Sequence, residues 1–246
     1  MIGSMNRHDA AERLAEQIER SRLARIRQVG EDGLRPECAA LAAWQADRLR
    51  HTYADLLADD RHRKAVQFFL SDLYGARDFS ERDEGVERIY PVMARVLPAG
   101  AIATIAKGIE LHALSQELDL DMVAVLWGEL GAEDGLGPDL YAEAWRRCHN
   151  EPERRRQIAL VSEVGLALDD VVFRPMVHNA VKMARGPARL AGMSELHDFI
   201  ERGFEAFRHM RGSAVFLETI QTRETRILDA ILAGRPAREW APPEAA

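Results

Sequence analysis

The ionisable residues that fall on apolar helix faces are where this chain could do chemistry, and they crowd most densely between Phe68 and Asp83. There the sequence reads FFLSDLYGARDFSERD. Taken as the end of a helix, at about 100° per residue, Gln67 to Gly75 places Phe68, Phe69 and Asp72 in one sector, with the carboxylate between the rings. A carboxylate on an apolar face must be paired, hydrogen-bonded or protonated. Arg77 and Arg82 are the nearest cations, and Gly75 suits a helix C-terminus. Ser80, followed by Asp83, reads as an N-cap with acid in the first turn of the next helix. Two chemistries follow. Asp–Arg pairs lock a helix–turn–helix corner, or the same groups, with Tyr74 and Asp78, line a polar pocket.

A second charged pair lies far along the chain. Phe216, Ile220, Ile227 and Ile231 form an apolar helical stripe, and Arg223 and Glu224 fall beside or inside it. Burying both is costly unless they meet partners. The natural complements are Asp72 with Arg77 or Arg82. The expectation is therefore one buried polar cluster joining the corner to the last helix. It serves either as an ion-pair network fixing helix register or as the floor of a ligand pocket.

Histidines offer the alternatives. His112 sits at the edge of the stripe Ile102, Ile105, Ile109, and a hydrogen-bonded core histidine is the ordinary outcome there. The other is an axial haem ligand in a globin-like bundle, or a metal ligand, making a cofactor-binding redox protein or enzyme. His197, Glu201, Glu205 and His209 stack at four-residue spacing and could bind a metal. The apolar residues of that helix centre on the opposite side, so the ladder reads as a solvated face and no metal site is assigned. Arg154, Arg155 and Arg156 follow Glu151 and Glu153 and read as a solvated helix start. The segment from Leu114 to Leu126 echoes a DNA-reading helix-turn-helix, but its second helix has no basic residue to meet phosphates. No P-loop, GxGxxG, GxSxG or HExxH occurs, and the paired Glu-x-x-His of a di-iron bundle is missing. No catalytic residue is assigned, and whether the chain is an enzyme stays open.

The pattern Phe68-Phe69, Asp72-Leu73-Tyr74-Gly75, Asp78-Phe79 and Arg82-Asp83, then Arg88-Ile89-Tyr90-Pro91 and Leu97-Pro98, resembles a family of uncharacterised bacterial proteins. Arg223-Glu224 belongs to the same pattern, and the resemblance covers roughly Trp44 to Leu232. It implies a boundary and no activity.

The elements that must hold these residues are helices. Apolar positions recur at helical spacing through most of the chain, and no alternating strand is found. The fold class expected is all-α, a bundle of about ten helices with no sheet. Residues 1–35 read as an exposed, charge-rich amphipathic helix and linker. Residues 36–233 read as a single helical domain, with a subdomain boundary near 131–138. Residues 234–246 read as a flexible tail. Breaks are expected at Pro91, between Leu118 and Asp119, and at Gly186-Pro187. The four residues before Met5 read as an addition to the native chain.

At 246 residues, with 47% hydrophobic and 30% charged, the chain can bury a substantial core. Its net charge of −7 argues against broad nucleic-acid or anionic-membrane surfaces. Two cysteines far apart, with no secretory signal, fit a reducing cytoplasm. The function expected is a non-catalytic helical protein that binds an unknown small molecule or a protein partner, a second copy of itself included. No cofactor is evident apart from the haem alternative.

Overall fold

The computed structural model describes residues 6–75 and 77–241. The readings of residues 1–4 and of the chain beyond Ala241 lie outside them. The protein is an all-α bundle with eleven α-helices among the described residues. Helix α1 (Arg7–Gln28) starts at Asn6, whose side chain accepts the Asp9 N–H at 3.0 Å. It packs along α6 (Ala99–Gly128), with Ala10 and Leu14 fully buried against Ile102 and Ala106. Its arginines also find partners there: Arg13 reaches Glu110 at 2.9 Å, and Arg20 reaches Glu117 at 2.6 Å. The N-terminal helix is thus part of the bundle rather than an exposed arm. Its many charges hid a narrow apolar face.

The linker after α1 corrects the expectation of no sheet. Val29–Gly30 (β1) pairs antiparallel with Gly33–Leu34 (β2). Gly33 has φ +104, a conformation L side chains rarely adopt, and this closes the two-residue turn. Then come α2 (Pro36–Thr52), α3 (Ala54–Ala58) and α4 (Arg63–Phe68), the last continuing as a π-helical turn, Phe69–Leu73. Helices α2 and α3 are separated at Tyr53, whose ring is buried.

Helix α5 (Ser80–Val96) runs through Pro91, which is exposed, so the carbonyl its ring leaves unbonded can meet water. The expected break after Leu118 is also missing: α6 is one helix of 30 residues, about 45 Å long. Asp119 and Asp121 look like caps in the sequence. In the fold their side chains are taken by Gln45 (3.0 Å) and Asn150 (3.0 Å). Helix α6 is the axis of the bundle, touching α1, α2, α7 (Pro138–Arg147) and α8 (Glu151–Val172). None of the helices among the described residues is long and apolar enough to cross a membrane.

Helix α9 (Pro175–Leu190) continues through Pro187, again on an exposed side, and contributes no buried residue. Helices α10 (Ser194–Met210) and α11 (Ala214–Leu232) close the bundle. Gly165 of α8 lets α11 come close, since a Cβ there would press on Leu217. The tail differs from expectation. Ala237–Glu239 forms a 3-10 turn, and Trp240 is buried, 6.4 Å from the Tyr141 ring. A buried indole removes a large apolar area from water, which favours docking of this segment.

Two apolar clusters make most of the core. One joins Tyr141, Trp145, Met122, Leu126 and Leu228; the other joins Tyr53, Val66, Phe207, Met210 and Phe216.

Candidate functional site

At the corner the π-helical turn carries the Tyr74 N–H to the Phe69 carbonyl at 3.0 Å, one residue further back than in an α-helix. Asp72 ends 3% exposed. Its Oδ1 accepts from Arg202 of α10 through Nε (2.9 Å) and Nη2 (2.6 Å) and from Arg77 (3.2 Å); Oδ2 accepts from Ser71 (2.7 Å). Arg82 serves the backbone instead, donating to the Asp72 carbonyl at 2.8 Å. Its Nε donates to Asp83 at 3.0 Å, and its guanidinium lies between the Phe79 and Phe199 rings, at 4.3 and 4.9 Å. Asp83 also meets His112 Nε2 at 2.8 Å. Burial opposes ionisation of Asp83, but His112 and Arg82 outweigh it and hold the carboxyl down at about 2. Ser80 is not the cap of α5. Asp78 accepts the Ser80 N–H at 2.8 Å and does that work from an exposed position.

Arg223 and Glu224 are elsewhere. Arg223 forms a bidentate pair with Asp55 at 2.7 and 2.6 Å and donates to the Thr52 carbonyl, near the surface. Glu224 points inward, accepting from Arg48 at 3.2 and 2.9 Å and from the Tyr53 hydroxyl at 2.8 Å. No hydrogen bond among the described residues joins Asp72 to Glu224. The single cluster expected from sequence is two networks. The π-turn aims Asp72 at α10, and Glu224 finds its cation on α2.

The Glu224 network opens on a chamber between the two apolar clusters. About 80 Å³ of it is open to the centres of water molecules, where roughly 10–15 Å³ holds one water. Tyr53, Phe69, Tyr74, Tyr141, Trp145 and Phe216 give it aromatic walls. Of the expected site residues, only Tyr74 and Glu224 line it. Asp72, Arg77, Asp78, Arg82, Arg223 and His112 do not.

The chamber's polar groups are unevenly matched. Arg48, 5% exposed, pairs with Glu224, but its Nε finds no partner among the described residues. Arg154, 4% exposed, donates from Nη2 to the Leu118 carbonyl at 3.2 Å, and its guanidinium stacks 4.6 Å over the Trp145 ring. No carboxylate among the described residues pairs with it, and its Nε and the Trp145 Nε1 are buried without a partner. Asp119 accepts from Gln45. Burial pushes its carboxyl up, with Arg154 and Gln45 opposing. Burial likewise raises Tyr53 and Tyr74, and Glu224 adds to both.

The haem alternative does not fit this geometry. His112 Nε2 is engaged by Asp83 and lies 3.1 Å from Arg82, and no histidine among the described residues lines the chamber. No group of three or more His, Cys, Asp and Glu among the described residues could hold a metal. The His197 ladder is not a solvated face throughout. His197 is buried, Glu201 pairs with Arg185, and His209 meets the Asp60 carbonyl at 3.0 Å.

A family model described as a domain of unknown function, DUF8198, matches residues 25–238. The chain belongs to the DUF8198 family. That span is wider than the resemblance read from Trp44 to Leu232, and it takes in the chamber, the corner and the buried Arg48 and Arg154. No curated protein and no solved structure matches the DUF8198 chain.

The residues missed were nonetheless marked. Arg48 follows Trp44 by four and Leu41 by seven, on the apolar stripe of α2. Arg154 precedes Ile158 by four and Val161 by seven, on the buried stripe of α8. Of the three arginines read as solvated, Arg155 is exposed and Arg156 pairs with Glu110 and Glu163, but Arg154 is core.

Proposed function

We propose that this protein is a non-catalytic binding protein whose ligand is a small molecule held in the chamber between α2, α7, α8 and α11. The observation that carries the reading is the combination of open volume, aromatic walls and buried donors without partners. Buried polar groups in native proteins are nearly always satisfied, and three nitrogens of residues lining this chamber, Arg48 Nε, Arg154 Nε and Trp145 Nε1, have no partner among the described residues. The Arg48–Glu224–Tyr53 network fixes one wall, and the aromatic rings supply apolar area for a flat or compact guest. The chamber has no histidine and no cysteine in its wall, and Tyr53, Tyr74 and Tyr141 are held protonated by their burial. The wall therefore offers recognition rather than a nucleophile.

The test is native mass spectrometry of protein purified under mild conditions, followed by solvent extraction of anything carried along. The expected outcome is a stoichiometric adduct that is lost from Ile220→Trp, a substitution that fills the chamber. An adduct retained by that variant would place the ligand elsewhere and remove this reading.

A further inference from the structure

The charges that line the chamber narrow the class of ligand, given that the chamber is a ligand site. The wall contains two buried guanidinium groups and two carboxyl groups. Arg48 and Glu224 cancel, since they share a bidentate pair and Tyr53 takes a further acceptor position on the same carboxylate. Arg154 is left. Its hydrogen bond to Leu118 uses a carbonyl, not an anion, and most of its donors remain unmet. Asp119 is the other acid in the wall, but it is bonded to Gln45 and is not within pairing distance of Arg154. A buried guanidinium 4.6 Å over the Trp145 ring, with Nε and the indole Nε1 both unpartnered among the described residues, puts spare donors and a positive charge without an ion-pair partner into the chamber wall.

We propose that the ligand is a small organic monocarboxylate with an aromatic or otherwise apolar body, its carboxylate received by Arg154 and the Trp145 indole N–H. A carboxylate has two acceptor oxygens and a single charge, and planar guanidinium groups bind it through parallel N–H donors. A phosphate monoester would bring about −1.5 to −2 charges to one free arginine, beside Glu224. A cation would face Arg154 directly. A neutral guest such as a sugar could stack on the aromatic walls but would leave the Arg154 charge without a counter-ion. Burial keeps the Asp119 carboxyl up from its ordinary value, which weakens the one acid that would otherwise repel an incoming carboxylate.

The experiment is titration calorimetry, with thermal shift in parallel, on a matched panel: benzoate, phenylacetate, indole-3-acetate and hexanoate against benzamide, benzyl alcohol and phenyl phosphate. The expected result is that at least one carboxylate binds and its neutral isostere binds about 10- to 100-fold more weakly, the worth of a charge-assisted hydrogen-bond pair. Arg154→Met loses the carboxylate preference by the same factor, and Arg154→Lys recovers part of it. Should Arg154→Met not fold, Trp145→Phe keeps the ring, removes the N–H and is expected to weaken the carboxylate several-fold. Equal binding of carboxylate and amide, or an unchanged preference in Arg154→Met and Trp145→Phe, overturns the ligand class. The chamber reading survives that result if Ile220→Trp abolishes binding. If no compound of any class binds and the protein carries no adduct, both fall.

Discussion

The corner around Asp72 and the chamber around Arg154 both bring charge into an apolar bundle, and they treat it in opposite ways. At the corner the accounts close. Asp72, Asp83, Arg82 and His112 are each bonded to one another or to backbone, Arg82 is held between two aromatic rings, and Arg77 and Arg202 complete the carboxylate from partly exposed positions. In the chamber they do not. Arg154 has a ring and one carbonyl for company, and Nε1 of its stacking partner Trp145 has nothing. Buried charge alone is therefore a poor sign of function. Compensated charge fixes register, whereas unpartnered donors in a chamber wall leave hydrogen-bonding capacity unused.

The sharpest way to test that contrast is Asp83→Ala. It leaves the Arg82 guanidinium, on a side chain 5% exposed, without its carboxylate. Breaking a buried pair by deleting one partner costs about 3–5 kcal/mol, and urea unfolding should show a loss of that size. A loss below about 1 kcal/mol would mean that the corner is not a tightly closed network. Acid titration gives the next largest effect. The Asp83 carboxyl lies at about 2 in the fold, below its ordinary 3.8. A depressed carboxyl contributes stability that is present above the unfolded value and is lost as pH falls through the folded one. About 2 kcal/mol should disappear between roughly pH 4 and pH 2. In Asp83→Asn, stability followed by denaturant midpoint should lack that component of the acid decline.

How much of this could be read from sequence follows from the same contrast. The helical class was legible because apolar spacing is periodic along most of the chain. The corner was legible because Asp72 stands between two phenylalanines, and its arginine Arg77 lies five residues away. Arg202 lies 130 positions away, and its partner could be found only once α10 was packed on the corner. Glu224 was recognised as a buried charge but matched to the wrong segment, since stripe position tells that a charge is inside and not which helix faces it. Arg154 was lost for a local reason: two flanking arginines made a run that looked solvated, although the seven-residue step to Val161 places it inward. The fusion of α6 was obscured by Asp119 and Asp121, which have the chemistry of caps and instead serve tertiary contacts.

The smallest effect is the most discriminating. In the absence of ligand, Arg154→Met removes a buried cation that has no ion-pair partner and replaces it with a flexible apolar side chain. Such a change escapes the charge's desolvation cost and gives up one hydrogen bond and the stacking on Trp145. Stability at neutral pH should therefore change by no more than about 1 kcal/mol, in contrast to the several expected at Asp83, although the two arginines flanking this comparison, Arg154 and Arg82, are equally buried at 4%. Asp119→Asn should act in the same sense. Burial holds that carboxyl above its ordinary value, so keeping it ionised at neutral pH works against the fold, and the amide removes the penalty without losing the acceptor that Gln45 uses. Denaturant midpoints for the two variants decide the matter. If Arg154→Met instead costs as much as Asp83→Ala, then Arg154 is a structural tie like Arg82, the chamber's donors are not spare, and the distinction between the two regions collapses.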